Sequence, residues 1–474
     1  MKISVILPKR EIFDENRMEF WESSIGKGSE STIRRVGETP LVLSLIRTLI
    51  PGDIAVDLID ENVQDIDFDS TPDAVILTVA TPAATRGYQI ADRFRSRGIK
   101  VIIGGYHASM VPGEAITHSD SVAIGEAEAL IPKIIDDLRK GRLEKFYKVD
   151  DSIQPVDNLP IPSWDQLQLD DYPHPILQTM RGCPFLCEFC NVRVHWGTNY
   201  RYKTLDRLQE EVDFLKQHYE NDAVFIIVDD DIASDRKRAK ELFKALIPLK
   251  IRWMSHGSAG IARDSEYLSL MSASGGIRVV LEFASKRWND SAKYLQKIQS
   301  YGIGIIGNFI LGFDEDDATC FDQAVDFMVD THIALPQFSL LTPFPGTPCA
   351  ARLEEEGRLL SKDWKRYTGS TVVFKPKRMS PGDLQDGYYY ASQKIYSYKS
   401  IFQRLSGLWE IVAQNTQRLP SEILREKIDM VHLNEAYRTV AYRFPSVYQN
   451  HPEEERYYQN EIQTMLKALE SGKE

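Results

Sequence analysis

The segment TMRGCPFLCEFCNV, residues 179–192, sets Cys183, Cys187 and Cys190 in the spacing C-x3-C-x2-C, directly after the strand-like run ILQTM. Three thiolates then leave one turn-rich loop at the end of a strand, where they can converge on one inorganic cluster. A structural zinc normally takes four protein ligands in a closed tetrahedron. Three sulfurs on a four-iron cluster instead leave one iron open to an outside ligand. The other reading of these residues is a zinc loop that borrows Cys320, Cys349 or a histidine as its fourth ligand.

Working outward from that loop, strand-like runs recur as AVFIIVDD, IRWMSHG, RVVLEF, GIIGNFILGF and PQFSLLT, separated by helical stretches such as 205–219 and 235–249. With ILQTM they make six β/α units, which predicts a (β/α)6-type partial TIM barrel over residues 178–370. Carboxyl ends of barrel strands are where catalytic groups collect. That places Glu282, which ends RVVLEF, and Asp229 to Asp231 among the candidates.

Upstream, ISVIL, IAVDLI, AVILTVA, VIIGG and SVAIG alternate with helical sequence. This predicts an α/β domain over residues 1–145, a Rossmann-like, doubly wound parallel sheet. Such sheets bind ligands beyond the carboxyl ends of their strands. Those ends carry Asp60, Glu61, Thr81, Pro82, Gly104, Gly105, Gly125 and Glu126. Five prolines between residues 150 and 177 mark a linker, taken as 146–177. From residue 371 to 474 strands give way to helical, aromatic-rich sequence.

Lys and Arg number 57 against 69 Asp and Glu, for a net charge of -12, and no basic stripe is interleaved with aromatics, which argues against a nucleic-acid partner. A small molecule or a lipid is the expected substrate. The amino-terminal apolar run is too short for a signal peptide, and no run is long enough to span a bilayer. Five cysteines, three of them clustered, suit a metal centre in a reducing compartment, so a cytoplasmic protein is expected. No Ser-His-Asp set, Walker loop or H-E-x-x-H motif is present to carry hydrolase or nucleotide-phosphate chemistry.

The cysteine motif, with Phe189 in the aromatic place before Cys190, resembles that of the radical S-adenosylmethionine (SAM) superfamily. GIIGNFILGFDED and LLTPFPGTP resemble the fifth and sixth barrel strands of the same superfamily. The resemblance implies a 4Fe-4S cluster on Cys183, Cys187 and Cys190, with SAM bound to the open iron and cleaved to a 5'-deoxyadenosyl radical. It also implies that Glu282 faces the ribose or amino-acid portion of SAM. For Asp229 to Asp231 two readings stand, the SAM or substrate edge and the capping of the helix that follows. Two also stand for Gly302, Gly304, Gly307 and Gly312: approach to adenosine, or turns and kinks.

The stretch GIKVIIGGYHASMVPGEAITHSDSVAIGEAEALIPKII, with its GG-x-H and GE-x-E elements, resembles the cobalamin-binding domain that precedes the barrel in one radical SAM class. That resemblance implies cobalamin at Gly104, Gly105, Gly125 and Glu126. The D-x-H-x-x-G signature is absent around His107, so no protein histidine is expected on cobalt. Loss of cobalamin with retention of the sheet is the alternative for this domain. Further candidates are His195, Trp196, Arg201 and Tyr202 just beyond the cysteine loop, and a tail rich in aromatics from Tyr388 to Trp409 that either walls a pocket or packs.

The domain order resembles that of the hopanoid and bacteriochlorophyll methylases. It implies a cobalamin-dependent radical SAM enzyme that methylates an unactivated carbon of a small-molecule, lipid or tetrapyrrole-like substrate, served by an electron donor such as flavodoxin or ferredoxin. The rivals are a cyclase, rearrangement or carbon–carbon coupling enzyme of the same architecture, and a non-catalytic binding protein.

Overall fold

In the computed structural model the described residues are 1–10, 40–149, 156–220, 222–284, 288, 291–413 and 420–471. They divide into two compact units, one holding residues 40–219 and 342–368 with the first strand, the other 220–341 and 369–471.

The first unit is built on six parallel strands: β1 (Lys2–Leu7), β2 (Ala55–Asp60), β3 (Ala74–Thr78), β4 (Lys100–Gly104), β5 (Ser121–Ile124) and β6 (Phe146–Lys148). Their order is β2-β1-β3-β4-β5-β6. β1 lies between β2 and β3, with Val5 beside both Leu58 and Ile76, so the strand order reverses there. This is the flavodoxin-like doubly wound order, whose ligand crevice lies at the carboxyl ends of the strands. Alternation along β3 explains the two layers. Ala74 and Ile76 join a core with Leu43, Ile46, Leu130 and Ile134 from two helices. Val75 and Leu77 join a separate core with Tyr88, Ala91 and Phe94 from the helix Ala84–Arg95.

From residue 156 to 175 the chain makes only short 3-10 turns, as its prolines require. Trp164 and Tyr172 in this stretch are buried. Its Ser163 amide donates to Thr48 Oγ1 at 2.9 Å, fastening it to the helix Leu41–Leu49.

Beyond it the six expected central strands are all present: β7 (Ile176–Leu177), then, after the short hairpin β8 (Met180–Arg181) and β9 (Arg201–Tyr202), β10 (Val224–Ile227), β11 (Arg252–Gly257), β12 (Gly276–Ala284), β13 (Gly304–Leu311) and β14 (Leu335–Leu340). Within the second unit β10 to β14 run parallel and pair in sequence order, each followed by a helix. This β/α repetition makes the partial barrel.

The carboxyl-terminal part of the second unit is helical, with Pro381–Ile395, Tyr398–Val412, Pro420–Ala441 and Pro452–Glu470. Arg404, wholly buried, explains how two of these helices seat. Its guanidinium donates to the carbonyls of Ile333 and Ala334 and, at 2.8 Å, to Asn434 Oδ1. Asn434 in turn donates to Ala334 and Met430, so the approach to β14 is tied to both helices through buried hydrogen bonds. The aromatic run packs here. Tyr388 and Tyr389 lie against Phe444, and Tyr396 stacks on Tyr437 with centroids 5.5 Å apart.

Candidate functional site

The cysteine loop grows from the β8–β9 hairpin, in which Arg181 pairs across the strands with Arg201. Gly182 follows with φ +96, and a Cβ there would fall 2.2 Å from the carbonyl oxygen of Asn199, so only glycine lets the chain turn into the loop. The Cys183 amide donates to Gly197 O at 3.2 Å, and the Cys190 amide to Cys187 O at 3.2 Å. Cys187 is exposed, Cys183 and Cys190 are half-buried, and Phe189 is half-buried between them in sequence. Phe185 and Leu186 give the loop an apolar, exposed tip. Among the described residues no group of three or more His, Cys, Asp or Glu gathers as a single-ion site. Cys320 and Cys349 are both buried in helices, Cys320–Asp330 and Pro348–Glu355.

Two acidic residues beyond β5 receive the hairpin. Glu126 Oε2 accepts from Arg181 Nη1 at 2.8 Å while its Oε1 accepts from Arg201 Nη2 at 2.6 Å. Glu128 takes the other side of Arg181 at 2.5 Å. Arg181 is only 3% exposed, and its guanidinium lies 4.4 Å over the Trp196 ring. Burial opposes its charge, but Glu128 and Glu126 outweigh burial and raise its pKa. His195 sits between Tyr106, 4.2 Å away centroid to centroid, and Trp196 at 4.5 Å. Burial first, and then the Arg181 charge, hold His195 down at about 4, so the imidazole is neutral at physiological pH.

The glycines at the sheet's carboxyl edge are closely packed by the chain itself. Gly105 has φ +94, and a Cβ there would meet the Val79 nitrogen at 2.7 Å. At Gly125 it would meet Val149 at 2.9 Å, and at Gly104 it would meet Ala123 at 3.3 Å. The acidic residues at this edge have partners as well. Asp60 accepts from the Tyr172 hydroxyl at 2.9 Å, and Glu61 pairs with Arg86.

His107 belongs to the short helix Tyr106–Met110, and its side chain is completely buried. Its Nε2 lies 3.0 Å from the Tyr88 hydroxyl and its Nδ1 lies 3.3 Å from Thr81 Oγ1. Trp364 closes over it, and the Trp364 indole donates to Glu114 at 2.7 Å. Burial lowers the His107 pKa to about 4 against the pull of Glu114. Both ring nitrogens face protein partners.

In the second unit, Asp231, His256 and Glu282 follow or end β10, β11 and β12 and interact electrostatically around Asp231. Asp231 is buried and accepts from the Ala233 amide at 2.8 Å, and burial raises its pKa. The helix that follows is capped by Asp235, whose carboxylate accepts from the Arg238 amide, so the capping reading applies to Asp235 and not to the 229–231 triplet. Glu282 is exposed within an otherwise buried strand, yet enough protein surrounds it that burial raises its pKa. The combination describes a carboxylate lining a water-accessible recess. Its register neighbour Asn308 accepts from Ser339 at 2.9 Å. At Gly307 and Gly312 a side chain would meet Ile333 and Leu384.

Sequence reasoning singled out Glu126, the three cysteines, His195, Trp196 and Arg201, and the structure gathers all of them in the first unit. It missed Arg181, Glu128, Tyr106 and, in the second unit, His256. No local pattern pairs the arginines flanking the cysteines with the glutamates of GE-x-E, which lie far upstream in the sequence.

A domain of unknown function, DUF4070, matches residues 347–443. Bacteriochlorophyllide d C-12(1)-methyltransferase of Chlorobaculum tepidum is 30% identical over 78% of this chain and 85% of its own length. Bacteriochlorophyllide d C-8(2)-methyltransferase of the same organism is 27% identical over 77% of this chain and 87% of its own. Among solved structures, the radical S-adenosylmethionine methyltransferase TsrM from Kitasatospora setae, with cobalamin and a [4Fe-4S] cluster bound, superposes over 90% of both chains with a TM-score of 0.61 at 13% identity, a likeness of fold. With the cysteine loop seated on a flavodoxin-like sheet and a partial barrel following, the chain belongs to the radical SAM superfamily, in the cobalamin-binding-domain class that includes the bacteriochlorophyllide methyltransferases.

Proposed function

We propose that this enzyme is a cobalamin-dependent radical SAM methylase that places a methyl group on an unactivated carbon of a small-molecule, lipid or tetrapyrrole-like substrate. The observation that carries the reading is the Glu126 carboxylate, bound to both Arg181 and Arg201, which fixes the cysteine loop to the carboxyl edge of the N-terminal sheet. A reaction that uses both cofactors on one carbon needs them in one place. The relatedness to two bacteriochlorophyllide methyltransferases over most of their length supports the same chemistry and a tetrapyrrole-like acceptor.

The donor set fits a cluster: three cysteine thiols on one loop, two half-buried and one exposed. Cys183, Cys187 and Cys190 would hold it, with Phe189 beside them. The edge formed by Gly104, Gly105 and Gly125 would receive cobalamin, enclosed by the protein without a histidine ligand, since His107 is sealed among Tyr88, Thr81 and Trp364. Glu282, in its recess, would orient SAM. Bound together, a reduced 4Fe-4S cluster supplies the electron that cleaves SAM to the 5'-deoxyadenosyl radical, and cobalamin carries the methyl group. The protein orients these partners and excludes water. His195 stays neutral beside Arg181.

An electron donor such as flavodoxin or ferredoxin would serve the cluster in a reducing cytoplasm. Among the described residues no helix is long and apolar enough to cross a membrane. The test is a cofactor inventory after anaerobic reconstitution with iron, sulfide and hydroxocobalamin. About four irons and near one cobalamin per chain after gel filtration are expected. A full cluster with no retained cobalamin would overturn the methylase reading and favour the non-methylating rival.

A further inference from the structure

Arg181 and Arg201 face each other across the base of the cysteine loop, and like charges directly opposed on neighbouring strands repel. The opposition is relieved from outside the hairpin. Glu126 spans the two guanidinium groups, accepting from Arg201 on both carboxylate oxygens and from Arg181 on Oε2, and Glu128 balances the second charge, leaving two positive and two negative groups in contact.

All four side chains are largely withdrawn from solvent, the most exposed being 11%. Buried ion networks of this kind add little net stability over apolar packing, but their bidentate geometry admits few alternative arrangements. What such a network contributes is a fixed register between the parts it joins. Here those parts are the two ends of the cysteine loop and the turn after β5. A second contact points the same way: Tyr106, next after Gly104 and Gly105, packs its ring on His195 beyond the last cysteine.

We propose that Glu126, Arg181 and Arg201 are positioning residues that clasp the cysteine loop to the Gly104–Gly105 and Gly125 edge, and so set the separation of the cluster from cobalamin. The proposal rests on the reading that the loop holds the cluster and the edge holds cobalamin. Glu126 thus acts through the arginines, its carboxylate turned to them. With the clasp released, each cofactor is retained but their spacing is no longer single-valued.

The experiment compares the full-length wild-type chain with Glu126→Gln and Arg201→Lys, and with Asp53→Asn as a control that breaks the exposed Arg139–Asp53 pair in the same domain. Amide hydrogen exchange of residues 182–200 is measured without cofactors. After reconstitution with iron, sulfide and hydroxocobalamin and reduction, the cob(II)alamin electron-spin relaxation caused by the reduced cluster is measured. Glu126→Gln should raise exchange in this loop by about tenfold or more, keep wild-type iron and cobalamin, and lose most of the relaxation enhancement. Arg201→Lys, which preserves the charge, should fall between it and wild type, and it decides the matter alone if Glu126→Gln does not fold. Asp53→Asn should match wild type in both measurements. Unchanged exchange in the loop, or unchanged relaxation with both cofactors bound, overturns the clasp. If the wild type retains no cobalamin, the functional reading fails by itself, and hydrogen exchange still decides whether the clasp holds the loop.

Discussion

The backbone amide of Cys349 donates to the carbonyl of Glu188 at 2.9 Å, inside the cysteine loop and between its second and third thiols. The adjoining side chain of Arg352 reaches the Glu188 carboxylate at 2.9 Å, so the helix Pro348–Glu355 holds the loop from a second side. Cys349 thus contributes its backbone, with its side chain buried in the helix.

The iron content of cysteine variants follows from this arrangement. Cys183→Ala, Cys187→Ala and Cys190→Ala should each lose most of the cluster, whereas Cys320→Ser and Cys349→Ser should keep about four irons per chain. Iron analysis with absorption spectra checks it, and loss of iron from either serine variant would restore a four-ligand site.

Glu282 carries opposite consequences for activity and stability. Burial raises its pKa, so the folded protein holds its proton more tightly than the unfolded chain does. Its contribution to stability then declines as pH rises from the ordinary glutamate value of 4.5 through the raised folded value. Glu282→Gln should therefore raise Tm at pH 8 and leave it unchanged at pH 4, while lowering SAM cleavage by roughly 10²-fold with iron intact. Unchanged cleavage would make this carboxylate structural.

His107 and His195 set an acid limit. Both are depressed from 6.5 to about 4, so between those values the unfolded chain binds protons that the folded chain refuses. The stability they contribute is full above pH 6.5 and is lost as pH falls toward 4. Thermal unfolding followed across this window should show the decline, and His107→Gln should make it shallower, leaving the share of His195. A wild-type profile in His107→Gln would place the acid sensitivity elsewhere.

His107→Ala should keep cobalamin, because the imidazole is engaged by Tyr88 and Thr81 and closed in by Trp364. The substitution should nonetheless cost about 2–4 kcal/mol of stability, from the cavity and from unpaired buried hydroxyls. Retained cofactor is read by absorption after gel filtration. Selective loss of cobalamin from a folded variant would make His107 a ligand after all.

Much of this was legible in the sequence because the decisive signals are local. The β-branched runs located β1 to β5 to within a residue or two, and the cysteine spacing with Phe189 favoured a cluster over the zinc alternative. Phe146–Lys148 escaped notice because a three-residue edge strand with two exposed side chains carries no periodicity to detect. The Asp229–Asp231 triplet and Asp235 lie within one acidic run, and only the register of the helix shows that Asp235 caps it. The aromatic tail could as well have lined a pocket, since packing partners such as Phe444 and Tyr437 lie some 40 to 55 residues away. The destination of the Glu126 carboxylate, residues 55 and 75 positions further on, depends on tertiary placement that no local pattern encodes.

The central claim, methyl transfer through cobalamin driven by a SAM-derived radical, is tested most directly by the fate of SAM itself. The reconstituted, reduced enzyme is given SAM labelled with deuterium in its methyl group, together with bacteriochlorophyllide d as the acceptor probe, and its products are resolved by mass spectrometry. The account predicts both 5'-deoxyadenosine, from the SAM that is cleaved, and S-adenosylhomocysteine, from the SAM that gives up its methyl group, each dependent on bound cobalamin for turnover. 5'-Deoxyadenosine without S-adenosylhomocysteine in cobalamin-loaded enzyme would contradict it.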